Sequence, residues 1–447
     1  MLRIQYIRSN HEEVQKKSKQ KGFDVDIDAL LVVDASRKEL LLQIEKLRQE
    51  RNENAARMKG GKPDQATIEE GKRLKEQLAQ LEPQLESQTQ EWYKLLKQVP
   101  NMPLDDVPIG SSEDENVVVY EKGDKPVFNF EPKNHADIAI AKGWLDKERA
   151  AKVAGSRFAY IKGDMALLEF ALINWISVTL GKSEILRQIA DDAGLNSVSD
   201  KPFIPVLPPL MIKTKPYDDM DRLEPRDDRY KIEGEELWLQ GSAEHVLGSM
   251  YADEFLDEKE LPLRMLGFAS SFRKEAGTYG KDMEGIIRMH QFDKLEMESF
   301  TSEKDGLNEH LFLIAVQEYI LSQLGIPYRK LLKCTYDIGK PNARGVDMDA
   351  WLPGQGKYRE THTADYMTDY QALRLNTRYF IAAPEVSAQG DAIESGNAGS
   401  YFVHTNDATA LALGRGMVAI IENYQTVDGD VIIPQVLRQY MGGREKL

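Results

Sequence analysis

The strongest chemical signal in the chain lies between Phe272 and Glu298, which reads FRKEAGTYGKDMEGIIRMHQFDKLEME. Arg273 and Glu275 stand two apart, so an extended backbone puts both on one face. Gly277 and Gly280 permit a reversal, and Arg288, His290, Phe292, Lys294 and Glu296 then return at every second position. The spacing predicts a hairpin with one densely functional face. An arginine grips a phosphate in bidentate fashion, a phenylalanine stacks on a base, and a glutamate accepts hydrogen bonds from an amine or hydroxyl. An exposed hairpin of mixed charge satisfies the same pattern, and the alternation of His290 with Phe292 equally suits packing. Neither GxGxxG nor GxxxxGK[ST] occurs, so the common glycine-loop nucleotide folds have no support.

Such a hairpin needs a sheet to hold it. Short strand-like runs (Phe203 to Leu207, Glu236 to Leu239, Met265 to Phe268, Gly285 to Phe292, Tyr401 to His404) are mixed with helical patterns at 166–180, 244–256, 302–324 and 408–424. Strands arriving in clusters, not in strict alternation with helices, predict an α+β domain built on an antiparallel sheet. Upstream, Val33, Arg37, Leu40, Ile44, Leu47, Arg51, Asn54 and Met58 recur at spacings of four and three. The pattern resumes after Gly60-Gly61-Lys62-Pro63 with Leu74, Leu78, Leu81, Leu85, Gln88, Trp92, Leu95 and Val99. Two helices joined by so short a turn run antiparallel, giving an arm about 40 Å long over 30–98, with a local kink expected at Pro83. Trp92 sits in the seam, where coiled-coil packing is favoured over base stacking. VPNMPLDDVPIG at 99–110 reads as a linker, so an N-terminal domain spans 1–110 and a second domain 111–447.

Composition narrows the class. A chain of 447 residues with 41% hydrophobic and 29% charged residues is neither disordered nor collagen-like and has room for a full core. The net charge of −15 argues against a protein that coats nucleic acid along its whole surface. Residues 30–98 are nearly neutral, however, with Arg57, Lys59, Lys62, Lys72, Arg73 and Lys75 around the middle of the arm. Those side chains could touch a polyanion or simply solvate a helical surface. The start, MLRIQYIRSNHEEV, has no apolar signal region, and the longest apolar-rich run, Phe170 to Gly181, is too short and polar to span a bilayer. A single cysteine, Cys334, suits a reducing cytosol and reads as a buried small hydrophobe, so a cytoplasmic protein with no membrane partner is expected.

The segment 272–298 resembles the second signature motif of class II aminoacyl-tRNA synthetases and, more narrowly, of seryl-tRNA synthetases, whose form is approximately FRxEAGxxGxDxxGxxRxHQFxKxE. The resemblance runs along almost the whole chain. The arm is similar to the family's N-terminal coiled coil, PNMPLDDVPIGSSEDENVVV to its linker, and GSRFAYIKGDMALLEFAL to the entry of its catalytic domain. VLPPLMIK at 206–213 resembles the first, dimer-forming motif, and ALGRGMVAIIENYQTVDGDVIIPQVLRQYMGG at 412–443 the third. The resemblance implies activation of L-serine with ATP to seryl-adenylate, then transfer to the 3′ end of tRNA(Ser), by a homodimer whose arm grasps the tRNA. Carried over, Arg273 would bind the α-phosphate and Glu275 the adenine or a metal-linked site. Phe292 and Arg415 would sandwich the adenine, with Arg415 also on phosphate. Glu360 would hold ATP and Mg²⁺, with Lys274, Thr361, His362 and Thr363 beside it. Serine would fall to Ser242, Ala243, Glu244, Arg273, Glu296 and Thr409.

The match weakens at two places. After Glu360 the family's usual Cys and Asn are replaced in the run Thr361 to Arg374, which carries Ala364, Asp365, Tyr366 and Leu373. Before the third motif the usual Asn-Gly is Asp407-Ala408, and Met283-Glu284 replaces the usual Thr-Arg in the second-motif loop. Asp407 adds negative charge beside the expected serine site. A divergent but working synthetase is the first reading. The alternative is a relative that activates another small amino acid or serves as a non-charging RNA-binding or regulatory protein. His245, His362 and His404 flank site segments and could ligate zinc. No zinc is expected, since the resemblance implies Mg²⁺ on oxygen ligands. Glu422 and Asn423 read as structural supports.

Overall fold

Two helices of 33 and 34 residues, Ile27–Lys59 and Gln65–Gln98, form the predicted arm in a computed structural model that describes residues 1–59, 64–275, 285–381 and 399–447. Their pairing is antiparallel: Asn54 Nδ2 donates to the Thr67 carbonyl at 3.0 Å, Arg48 meets Glu82 at 2.8 Å, and Gln88 Nε2 donates to Ser36 Oγ at 3.0 Å. Leu40, Ile44, Leu74 and Leu78 bury the seam, and the guanidinium of Arg37 lies 4.3 Å from the centre of the Trp92 ring. Arg51, read as a seam position, is exposed. Pro83 sits on an exposed face within the second helix, which continues to Gln98. The turn at Gly60–Pro63 lies outside the described residues. Two short helices precede the arm, Ile4–Ser9 and His11–Gln20, and complete a compact unit of Met1–Met102.

The second unit, Pro103–Leu447, is built on an eight-stranded sheet. Its order is Val117–Lys122, Tyr328–Leu332, Arg344–Leu352, Lys357–Thr368, His404–Ala412, Gln291–Thr301, Leu263–Phe272 and Ile204–Val206. Every pairing is antiparallel except that of the last, short strand. The α+β reading therefore holds. One face of the sheet is apolar: Leu295, Met297, Val346, Met348, Ala364, Ala408 and Ala410 pack against helices Asp164–Leu180, Gly306–Gln323 and Leu413–Asn423 in one continuous core. Period-two alternation then turns Glu296, Glu298, Asp347, Thr363, Asp365, Asp407 and Thr409 to the opposite face.

Several boundaries differ from expectation. Residues 285–290 form a turn and bends instead of the start of a strand. Gly285 adopts φ +67° and lies so close to the His135 ring that an added Cβ would fall 1.8 Å from Nε2. The helix expected over 244–256 is one turn, Glu244–Leu247, and Phe255–Asp257 is a strand. The helix expected from 408 begins at Leu413, because 404–412 is a central strand buried on both faces. Cys334 is fully buried and follows the strand Tyr328–Leu332. Among the described residues no single helix is long and apolar enough to cross a membrane.

A buried ion pair ties the sheet to its helical layer. Arg264 donates to both carboxylate oxygens of Glu309 at 2.6 and 2.7 Å, lies 4.3 Å from the Phe312 ring centre, and also reaches the Lys201 carbonyl at 2.8 Å. Removing one partner leaves the other charge buried and uncompensated. Glu309→Ala is expected to destabilise this unit by about 3–5 kcal/mol, read as a lower urea midpoint.

Candidate active site

The site face opens into a cavity lined by Arg273, Glu275, Arg288, Phe292, Lys294, Glu360, Thr361, Thr363, Thr409 and Arg415. Three regions far apart in the sequence meet here: the two limbs 273–275 and 286–294, the strand segment 360–363, and 409–415. Arg273 leaves the end of the Leu263–Phe272 strand, where its Nε donates to the Gly241 carbonyl at 3.0 Å and its guanidinium stands 5.3 Å from the Phe292 ring centre. Arg415 is in the first turn of Leu413–Asn423. Its Nη1 lies 2.8 Å from the Glu360 carbonyl oxygen and 3.1 Å from Glu360 Oε1. Burial alone would raise the Glu360 carboxyl, but Arg415, Lys333, Arg273 and Lys294 outweigh it and hold Glu360 below the usual range. A ring, two guanidiniums and an ionised carboxylate thus face one space, a fit for a base joined to phosphates and for a hard cation on carboxylate oxygen.

Glu275 is in left-handed backbone, φ 52°, with its carboxylate paired to Arg288 and its carbonyl accepting from Arg157 Nη1 at 3.2 Å. The extended alternation read for Arg273 and Glu275 therefore does not apply, since the strand ends at Phe272; it holds for Phe292, Lys294 and Glu296. Lys274 is exposed, its backbone N–H donating to the Asp228 carbonyl at 3.0 Å and its ammonium 5.6 Å from the Tyr230 ring centre. His290 Nδ1 lies 3.1 Å from the Arg273 carbonyl oxygen, and its ring packs 5.4 Å from Phe158. Gly277, Gly280, Met283 and Glu284 lie outside the described residues.

Deeper in, Glu296 pairs with Lys294 and accepts from Ser242 Oγ at 3.5 Å, while Thr409 stands directly across from Glu296 in the sheet register. Burial pushes the Glu296 carboxyl up to about 7, with Lys294 opposing and Glu244 adding to the rise. Glu244 lies 3.2 Å from Arg222 and 3.3 Å from His245. Its burial is outweighed by those neighbours, so it stays well below the usual range. His245 itself is held to about 4 by burial despite Glu244, and its Nδ1 accepts from the Gly241 N–H at 3.2 Å.

Two of the expected residues have side chains outside the cavity lining. The Ala243 side chain packs in an apolar cluster with Leu247, Leu256 and Met265, beside Gly267, which stands across from Glu296. His362 is absent from the cavity lining: its register partner is Met348, a core residue, so it occupies the apolar face beside Thr361. On the arm Arg57, Lys72 and Lys75 are exposed, Arg73 is paired with Glu70 at 2.6 Å, Lys59 ends its helix, and Lys62 lies outside the described residues.

Arg222 escaped the sequence reading. It bridges Glu244 and Asp407, and nothing in the local string MDRLEPRDDRY marks it out from its neighbours. A support chain was missed as well. Ile286 N–H donates to His135 Nε2 at 3.3 Å, which makes His135 Nδ1 the donor to Glu422 Oε1 at 2.9 Å. Glu422 also accepts from the Gly354 N–H and from Gln355, while Asn423 Nδ2 donates to the Trp351 carbonyl, so both act as buried braces.

The comparisons place this architecture. The family model for the "tRNA synthetase class II core domain (G, H, P, S and T)" matches residues 229–424, and with the antiparallel sheet it defines a class II aminoacyl-tRNA synthetase. The model for the "Seryl-tRNA synthetase N-terminal domain" matches residues 1–103. The serine--tRNA ligase of Thermodesulfovibrio yellowstonii is 37% identical over 99% of both chains. Among solved structures, seryl-tRNA synthetase from Pyrococcus horikoshii complexed with ATP superposes with a TM-score of 0.82 at 33% identity, covering 100% of this chain and 99% of that one. Cytoplasmic serine-tRNA ligase from Naegleria fowleri in complex with AMP gives 0.80 at 25%, covering 99% and 96%. The chain belongs to the seryl-tRNA synthetase family, and it is an ATP-dependent serine--tRNA ligase; the readings of another amino acid or a non-charging protein give way.

Proposed function

We propose that this enzyme forms seryl-adenylate in the cavity between Arg273, Phe292, Glu360 and Arg415, then passes the seryl group to the 3′-terminal ribose of tRNA(Ser). The convergence of those four residues carries the reading. The serine carboxylate attacks the α-phosphorus in line with the departing pyrophosphate, and negative charge grows on the phosphate oxygens. Arg273 and Arg415 are already in place to meet that charge, so little reorganisation accompanies the step. Phe292 and Arg415 hold the adenine faces. Glu360 would hold Mg²⁺, which neutralises phosphate charge when bound. Glu275, tied to Arg288, is suited to the adenine edge, Thr361 and Thr363 line the cavity, and Lys274 and His362 are assigned to ATP as the neighbours of Glu275 and Thr361. Ser242, Glu296 and Thr409 are positioned for the hydroxyl, and Glu244 with Glu296 for the α-ammonium.

Residues 1–110, with the arm at 30–98, are assigned to tRNA(Ser), through Arg57, Lys59, Lys62, Lys72, Arg73 and Lys75, and 111–447 to catalysis. A homodimer is favoured by the apolar side chains that stand exposed around the first motif: Leu167, Phe170 and Val178 on one helix, and Ile204, Leu207, Leu210 and Met211 beside it. With its single, buried cysteine the enzyme is assigned to the cytoplasm.

Amino-acid-dependent exchange of pyrophosphate into ATP tests the pocket. Serine should support exchange, while alanine and glycine, which leave Ser242, Glu296 and Thr409 without a hydroxyl to bind, should fall by about 10²-fold or more in kcat/KM. Threonine fills the hydroxyl contacts but adds a methyl and should also fall. Equal exchange with alanine would refute the pocket assignment.

A further inference from the structure

Glu298 is fully buried, and neither of its carboxylate oxygens has a hydrogen-bond partner. The sheet register sets it directly across from Asp407, which in turn faces Asp365 on the next strand. Three carboxyls therefore stand in a row on the site face, and such opposed side chains leave Cβ atoms about 4.5–5.5 Å apart. Met265, opposite on the other side, is apolar. Lys294 and Glu296 precede Glu298 on its own strand, the one-turn helix brings Glu244 and His245, and Arg222 enters from the preceding turn. Oxygens of Glu244, Glu296 and Asp407 lie within 4.8 Å of one another.

The cations of this cluster are already engaged. Arg222 Nη2 donates to Asp407 Oδ2 at 3.1 Å and its Nε lies 3.2 Å from Glu244, Lys294 pairs with Glu296, and Lys333 lies 3.9 Å from Asp365. Glu298 receives neither a cation nor a donor. An ionised carboxylate in that position would be buried without compensation, and such groups take up a proton instead.

We propose that Glu298 is a neutral carboxylic acid whose O–H donates to Asp407 Oδ1, and that this acid–carboxylate pair is a positioning device beneath the serine pocket. Asp407 Oδ1 has no other hydrogen-bond partner, so the shared proton satisfies both sides. Burial and then Glu244 raise the Asp407 carboxyl as well, with Arg222 opposing; the proton is assigned to Glu298 because Arg222 Nη2 donates to Asp407 Oδ2 at 3.1 Å while Glu298 has no cation beside it among the described residues. Burial, then Asp407, Glu244 and Glu296, push the Glu298 carboxyl well above the usual range, with Arg222 opposing only in part. Fixing Asp407 fixes Arg222, and Arg222 aims Glu244 at the α-ammonium. The inference deepens the pocket reading above and rests on it for the kinetic readout alone.

The test combines spectroscopy with a matched pair of variants of the full-length enzyme. Infrared difference spectra of wild type against Glu298→Gln at neutral pH should contain a protonated carboxylic acid carbonyl band that shifts in D₂O. Glu298→Leu, which has no donor, should raise KM for serine by about tenfold with KM for ATP unchanged, and Glu298→Gln, whose amide still donates, should recover most of that loss. As the pH rises through the Glu298 pKa the donor is lost and an extra anion appears. Serine KM should therefore climb at the alkaline end for wild type and stay level for Glu298→Gln. Absence of the acid band, or a Glu298→Gln variant as impaired as Glu298→Leu, overturns the proposal, as does a stoichiometric metal ion in the purified enzyme that Glu298→Gln releases. The infrared band does not depend on which amino acid is activated, so failure of the pocket reading would leave it standing.

Discussion

Arg273→Ala is expected to lower serine-dependent pyrophosphate exchange by about 10²–10³-fold, corresponding to about 3–4 kcal/mol of transition-state stabilisation. The size follows from where the guanidinium stands. It is anchored by the Gly241 carbonyl and the Phe292 face, while the other cations of the cavity are engaged elsewhere, Arg415 with Glu360, Arg288 with Glu275 and Lys294 with Glu296. Arg273→Lys restores charge but not the planar fork, and should recover only part of the rate. The loss should fall mainly on kcat, because charge on the phosphate oxygens grows as the reaction proceeds. A variant with undiminished exchange would remove Arg273 from the phosphate site.

Excising residues 38–87 and joining the two stumps through a short Gly-Ser link should leave exchange within about twofold of wild type and reduce aminoacylation of tRNA(Ser) by about 10²-fold or more. The cut is placed where Gln88 donates to Ser36, so the helices are already in contact at the join. Residues 103–447 form their own compact unit, which is the basis for expecting serine activation to survive. Binding through arm cations should also weaken steeply with salt in the intact enzyme, and lose that steepness in the excised one. Unchanged aminoacylation would refute the role assigned to the arm.

Much of this was legible because local chemistry and periodicity agreed. The arm declared itself through a four-three seam in which Leu40, Ile44, Leu74 and Leu78 are buried and Leu47, Leu81, Leu85 and Leu95 partly so, and Phe292, Lys294 and Glu296 kept the alternation that a strand requires. Misreadings came where tertiary context overrode local preference. The run 404–412 contains Ala and Leu at helical propensity, yet it is a central strand because its two faces are claimed by the core and by the site. Likewise 285–290 looks extended, but contact with His135 bends it. Arg222 was invisible for a different reason: its partner Asp407 is 185 residues away, and only the folded sheet brings them together.

On the strands 291–301, 344–352, 357–368 and 404–412 the sheet carries polar side chains on one face and packing side chains on the other. Sliding any central strand by a single position would present Met297 where Glu296 belongs and push a carboxylate into oil. An insertion or deletion in this chain is therefore tolerated only where strands hand over to connections, not within an inner strand.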